Sequence, residues 1–162
     1  MTAAAEELLR RVDVVTERLA VHASSPAASG LTDPDQPSGE RWEWGQIWAH
    51  LAEFPGYWMR QIRQALATPV GEPQPPFGRV KTNPDRIAAI EAERMTAHAD
   101  LWERVAWDLS DLRAFIQGLS AEDWSRTVTH PTRGVMDLPR AFDEFLVGHL
   151  EEHADQLDGL AG

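Results

Sequence analysis

The chain contains no cysteine, so disulfides, thiolate metal sites and cysteine nucleophiles are all excluded. Positive charge is scarce too: 15 basic residues, all arginine except Lys81, face 26 acidic ones, for a net charge of -11. That balance lacks the basic footprint that nucleic acids and anionic membranes require. It leaves room for an anionic small molecule held by a local arginine. No apolar run approaches the roughly 20 residues of a membrane span. The opening Met1-Thr2-Ala3-Ala4-Ala5-Glu6-Glu7 is acidic and unlike a signal peptide. A cytoplasmic protein with no nucleic acid or membrane partner is expected. Sustained period-two alternation is missing as well, so no strand is expected. The abundance of alanine and arginine hints at a GC-rich genome.

What is present is helical periodicity in 162 residues, a length that fits one domain with a sizeable core. Leu8, Leu9, Val12, Val15, Leu19 and Val21 mark a helix over residues 3–23. A Pro/Ser/Asp/Gly loop follows over 24–38, and Ser38 or Gly39 starts a second helix. Its stripe runs through Trp44, Ile47, Trp48, Leu51, Phe54, Trp58, Ile62 and Leu66, and Pro55 should kink it just beyond His50. Residues 68–84 hold Pro69, Pro73, Pro75, Pro76 and Pro84, a long connection suited to a crossover strap or a lid over a pocket. Asn83-Pro84 reads as an N-cap and first turn. A third helix carries Ile87 to Ile116 and should break near Asp108-Leu109-Ser110. After a polar connection, Asp137 caps a fourth helix running to about Asp158. Four helices and no strand define an all-α four-helix bundle.

Chemistry concentrates in Gly148-His149-Leu150-Glu151-Glu152-His153. Helical positions four apart share one face, so His149 and His153 can present two imidazoles to one divalent metal. Six histidines yield such a pair by chance about 0.2 times in this length, so the pair alone is a weak motif. The plain alternative is two solvated surface residues. His50 sits between Ile47 and Phe54 on an apolar stripe, where an unpaired imidazole is costly and a metal would satisfy it. The three are therefore expected to meet inside the bundle. His22 suits a helix C-terminus, His98 could line the site, and His130, next to Pro131, reads as a surface loop residue that could reach a pocket mouth.

Glu53 lies one turn after His50, and Glu152 one turn after His149. Each is a candidate catalytic base beside the metal or an orienting partner for an imidazole; each could equally be a solvated carboxylate. A di-iron site would need Glu-x-x-His twice, and Ile47, Leu146 and Leu150 occupy those positions. The string His149-Leu-Glu-Glu-His153 matches one metalloprotease motif by coincidence, since nothing here reads as a strand to cradle a peptide. Trp48 and Trp58 are the tryptophans nearest a ligand by position, though core packing explains any single one. Arg60, Arg63 and Arg133 are possible anchors for an anionic substrate.

The pattern resembles the DinB-like superfamily, which includes bacillithiol transferases and mycothiol-dependent maleylpyruvate isomerases. Trp42 followed by Gln46-Ile47-Trp48-Ala49-His50-Leu51 carries the resemblance, with Gly134-Val135-Met136-Asp137-Leu138 leading into His149-x-x-x-His153. Leu119-Ser120-Ala121-Glu122-Asp123-Trp124 looks like the family's link between its third and fourth helices. The resemblance implies an up-down-down-up bundle binding zinc or nickel through His50, His149 and His153. It also implies a low-molecular-weight thiol cosubstrate, for which the genomic bias favours mycothiol, and a homodimer. The isomerase branch places a carboxylate first in the C-terminal pair; here that position is His149, which puts isomerase activity in doubt. The leading expectation is a metal-dependent enzyme that activates a thiol or water against a small electrophilic substrate. Two alternatives stay open: a non-catalytic metal- or ligand-binding or stress-response bundle, and a purely structural dimer.

Overall fold

Residues 2–36 and 38–161 are described by the computed structural model; Pro37, inside the expected 24–38 loop, lies outside them with Met1 and Gly162. Helix α1 spans Ala3–Ala23, opened by Thr2, whose hydroxyl accepts the Ala5 N–H at 3.2 Å. It buries Leu8, Leu9, Val12, Val15 and Leu19, while Val21 turns out to solvent. Helix α2 starts at Trp44, later than the Ser38 or Gly39 expected. The reason is a clip: Thr32 N–H donates to the Trp42 carbonyl (2.8 Å) and Trp42 N–H to the Thr32 hydroxyl (2.9 Å). These bonds hold residues 41–43 off the helix, so α2 begins only after Glu43.

The expected kink at Pro55 is a full break. Helix α2 ends at Leu51 and α3 runs Phe54–Ala67, with Pro55 in its first turn, where a missing N–H costs nothing. The connection after α3 leads to α4, Pro84–Glu93, capped by the Asn83 side chain on the Arg86 N–H at 3.0 Å. The third long helix breaks at 94–97, not near Ser110, and α5 then runs unbroken over His98–Gly118. Helix α4 packs on α2, with the Arg94 carbonyl pressed against Gly45, so the chain must turn there. Val105, Leu109, Leu112 and Ile116 meanwhile keep α5 continuous on the core.

A one-turn α6 (Ala121–Trp124) precedes a small sheet that no alternation announced. Strands β1 (Thr127–His130) and β2 (Gly134–Asp137) pair antiparallel, with Val128 opposite Met136. The Asp137 carboxylate caps α7, Leu138–Phe142, by accepting the Arg140 N–H at 2.9 Å. A π-helical turn over Asp143–Val147 joins α7 to α8, Gly148–Ala161, in one continuous rod. In that turn the Gly148 N–H reaches back five residues to the Asp143 carbonyl.

Four long units make the bundle: α1, α2–α3, α5, and the α7–α8 rod. Both α1 and α2 pack against α5 and α8, in the up-down-down-up arrangement, with the 68–97 segment as the crossover. No described helix is long and apolar enough to cross a membrane. Trp48, Phe54, Ile62 and Phe142 sit at the centre with essentially no exposure. Burying each such side chain contributes about 1.5–3 kcal/mol.

Candidate metal centre

His50 comes from the fully buried segment Ile47–Leu51 of α2, and His149 and His153 come from successive turns of α8. The bundle brings them together. The Nε2 of His149 lies 3.0 Å from that of His50 and 3.2 Å from that of His153. One ligand atom from each falls within 4.8 Å of the others. His50 and His153 are 2% and 4% exposed; His149 is half-buried and opens to a cavity.

The opposite ring edges show whether this cluster suits a metal. His149 Nδ1 meets Glu152 Oε2 at 3.0 Å, His153 Nδ1 meets Gln156 Oε1 at 2.8 Å, and His50 Nδ1 faces Glu53 Oε2 at 3.4 Å. The last is an electrostatic approach without hydrogen-bond geometry, which leaves His50 Nδ1 buried and without a hydrogen-bond partner among the described residues. Each Nδ1 therefore points at an oxygen that wants a proton. Placing the protons there leaves three bare Nε2 lone pairs facing each other, which repel unless a cation stands between them. Nitrogens bound to one four-coordinate zinc at about 2.0–2.1 Å lie about 3.3 Å apart, close to the spacing seen. Outer carboxylate and amide partners on metal-binding histidines fix just this tautomer. The residues fit a divalent ion.

Electrostatics agree. Burial, reinforced by the neighbouring imidazoles, holds His50 and His153 well below the usual histidine range, so both rings are neutral at pH 7, the form a metal would require. The Trp42 indole stacks on His153 (centroids 5.6 Å apart) and meets His50 edge-on at 5.1 Å. Phe54 closes the other side against His50 and His149 at 4.9 and 4.5 Å. These rings limit where the imidazoles can swing.

A cavity of about 490 Å³ opens onto His50 and His149. One wall is aromatic: Trp58 stacks on Phe145 at 4.2 Å, and His130 stacks on Phe145 at 4.9 Å. The Pro-rich segment lies along this wall as a strap, its Gly78 against Trp58 and His130 and its Phe77 buried. His130 is no surface residue. Its Nε2–H donates to the Arg79 carbonyl (3.2 Å), and Nδ1 accepts the Thr132 and Arg133 N–H groups at 3.3 Å each.

The other expected residues distribute plainly. Glu152 lines the cavity, and its bond to His149 holds its carboxyl below the usual range. Glu53 lies behind His50, outside the cavity lining, and pairs with Arg79 at 2.5 Å. Arg133 and Trp58 line the cavity; Trp48 instead packs on His98 and Trp102 in the core. Arg60 is exposed, and Arg63 pairs with Asp111 on the surface. His22 bonds Asp158 at 2.6 Å, and His98 donates to the Ala23 carbonyl. Four charged lining residues had no sequence signal as site residues: Arg79, Lys81 and Arg86 arrive on the crossover, and Glu144 on the π-turn.

Fold and site together define a four-helix bundle with a three-histidine cluster, two of whose members line a cavity. Among solved structures the chain is similar to YfiT from Bacillus subtilis, described as a probable metal-dependent hydrolase with an unusual four-helix bundle topology. The TM-score is 0.74 at 16% identity, over 99% of this chain and 88% of that one. An uncharacterized protein from Clostridium difficile 630 matches with a TM-score of 0.68 at 11% identity, over 98% and 96% of the two chains. No family model and no curated protein matches.

Proposed function

We propose that the chain is a divalent-metal-dependent enzyme acting on a small molecule, with His50, His149 and His153 as ligands to zinc or nickel. The observation that carries this is the pairing of three convergent Nε2 atoms with three Nδ1 atoms that each face an oxygen. The description of YfiT supports a hydrolytic reaction. A divalent ion at the triad supplies Lewis acidity that lowers the pKa of a water or a thiol such as mycothiol.

The chain's own groups do the rest. Glu152 and Gln156 keep the Nδ1 protons of His149 and His153 in place, and the nearby Glu53 carboxylate favours the same tautomer at His50, so the Nε2 lone pairs stay directed inward. The aromatic wall and the strap close one side of the cavity. Glu144 Oε2 is buried, has no hydrogen-bond partner among the described residues, and belongs to a side chain that lines the same cavity. The π-turn shifts the helical phase at this residue, and its side chain lines the same cavity as His149. Glu144 Oε2 takes the proton from the incoming nucleophile, with Glu152 as the neighbouring carboxylate.

Elemental analysis of protein purified without chelator, followed by a panel of ester, amide and thiol-plus-electrophile substrates, tests this reading. About one zinc or nickel per chain is expected. Turnover should be lost in Glu144→Gln while the metal is retained. Failure of the wild type to take up metal after incubation with both ions would sink the proposal.

A further inference from the structure

The triad cavity is basic in an acidic protein. Arg79, Lys81, Arg86 and Arg133 line it against only Glu144 and Glu152, although the chain as a whole carries -11. Three of these cations are already matched. Arg79 pairs with Glu53 at 2.5 Å, Lys81 with Asp35 at 2.9 Å, and Arg133 approaches Glu144 at 3.6 Å. Arg86 differs. It is 8% exposed, and among the described residues no carboxylate lies within 4.0 Å of its guanidinium. Burying an unpaired charge is costly, so a retained one needs a reason.

The fold spends several contacts on aiming it. The Asn83 cap starts α4 one turn before Arg86, and Arg86 Nη1 donates to the Lys81 carbonyl at 2.9 Å. The guanidinium lies over the Trp42 ring, 5.3 Å from its centroid, and that indole in turn stacks on His153. Nε and Nη2 make no protein hydrogen bond among the described residues. An arginine fork with free N–H groups in a cavity matches an oxyanion in a bidentate way.

We propose that Arg86 anchors an anionic group, a carboxylate or phosphate, of the substrate, so that the cavity selects small anion-bearing molecules whose reacting end faces the histidines. This rests on the metal-centre reading for the reaction, though not for the binding. The field of the other lining cations adds to capture of such a ligand.

The test is calorimetric titration of inorganic phosphate and, separately, succinate at low ionic strength, into zinc-free and zinc-loaded protein. Wild type should bind at least one probe in the zinc-free form. Arg86→Gln should weaken that binding about tenfold or more, as expected for loss of a charged hydrogen bond, and Arg86→Lys should fall between. Arg60→Gln, a surface control, should match wild type. A preference for phosphate identifies a phosphoryl group, and a preference for succinate a carboxylate. Circular dichroism and metal content establish that the variants fold. If Arg86→Gln loses its fold, Arg86→Lys alone decides. Unchanged affinity in the folded variants, or no binding of either probe by wild type at millimolar concentration, overturns the inference. A protein that takes no metal yet binds phosphate through Arg86 would sink the enzyme reading and leave this one standing.

Discussion

The Nε2 atoms of His50 and His149 lie 3.0 Å apart although 99 positions separate the two residues in sequence. With the Nδ1 of each ring turned toward a carboxylate, the two Nε2 edges meet as a pair of acceptors, an arrangement that a shared cation satisfies. His50→Ala and His149→Ala should each abolish tight metal binding while leaving helix content unchanged. Adding zinc at about 100 times its Kd should stabilise the wild type by about 2.7 kcal/mol, and neither variant should respond. Thermal unfolding with and without zinc checks this, and an equal response in all three proteins would place the metal elsewhere.

Glu53 acts at one remove. Its carboxylate faces His50 Nδ1 and is held from behind by Arg79, whose guanidinium also stacks over Tyr57 at 3.9 Å. Removing such an outer partner typically costs 10- to 100-fold in metal affinity. Glu53→Ala should therefore weaken zinc binding by about that factor with stoichiometry unchanged, as measured by competition with a chelator. Arg79→Met should shift affinity the same way by a smaller factor. An effect on turnover with no effect on affinity would instead make Glu53 a proton carrier.

The local devices were readable and the tertiary ones were not. His149 and His153 follow from helical spacing, and the Asn83 and Asp137 caps from side-chain chemistry confined to a few residues. His50 was readable because a histidine on an apolar stripe needs a partner. The start of α2 depends on a clip from Thr32, ten positions away, and the break before His98 on the approach of Arg94 to Gly45. Periodicity carries neither. Glu144 hides for another reason: a π-turn shifts the helical phase, so counting in steps of 3.6 aims its side chain elsewhere. The hairpin strands are too short to alternate visibly, and they place His130 in the wall rather than on the surface.

His130 makes stability pH-dependent in a defined direction. Burial lowers its pKa, against the opposing bond to the Arg79 carbonyl, and Nδ1 already accepts two backbone N–H groups. A histidine whose native pKa lies below its unfolded value of about 6.5 contributes stability above that pH and loses it as pH falls toward the native value. His130→Asn keeps an acceptor near the Nδ1 position without the titration. Between about pH 7.5 and 5.5, metal-free wild type should lose more stability than this variant, by at most about 1.4 kcal/mol per pH unit. Urea unfolding at the two pH values measures the difference, from which the histidines common to both proteins cancel. Parallel losses would show that His130 does not titrate in this range.

Gly78 fixes how closely the strap lies on the cavity wall. Its φ is +85°, and an added Cβ would come within 2.7 Å of both Trp58 Cζ3 and His130 Cδ2. Its N–H is held at 2.9 Å by the Gln61 side chain, so the strap cannot lift freely to make room. Gly71 has a similar φ of +91° with nothing within 4 Å of its Cβ position, which makes it the control. Gly71→Ala should cost about 1–2 kcal/mol, the backbone penalty alone. Gly78→Ala should cost about 2–4 kcal/mol, because overpacking against two rigid rings adds to that penalty. Metal stoichiometry should survive in both, since the three histidines proposed as ligands ride on α2 and α8. Amide exchange in residues 76–80 should quicken only in Gly78→Ala. Equal costs for the two variants would mean that the strap yields to the methyl group and that the cavity wall is soft.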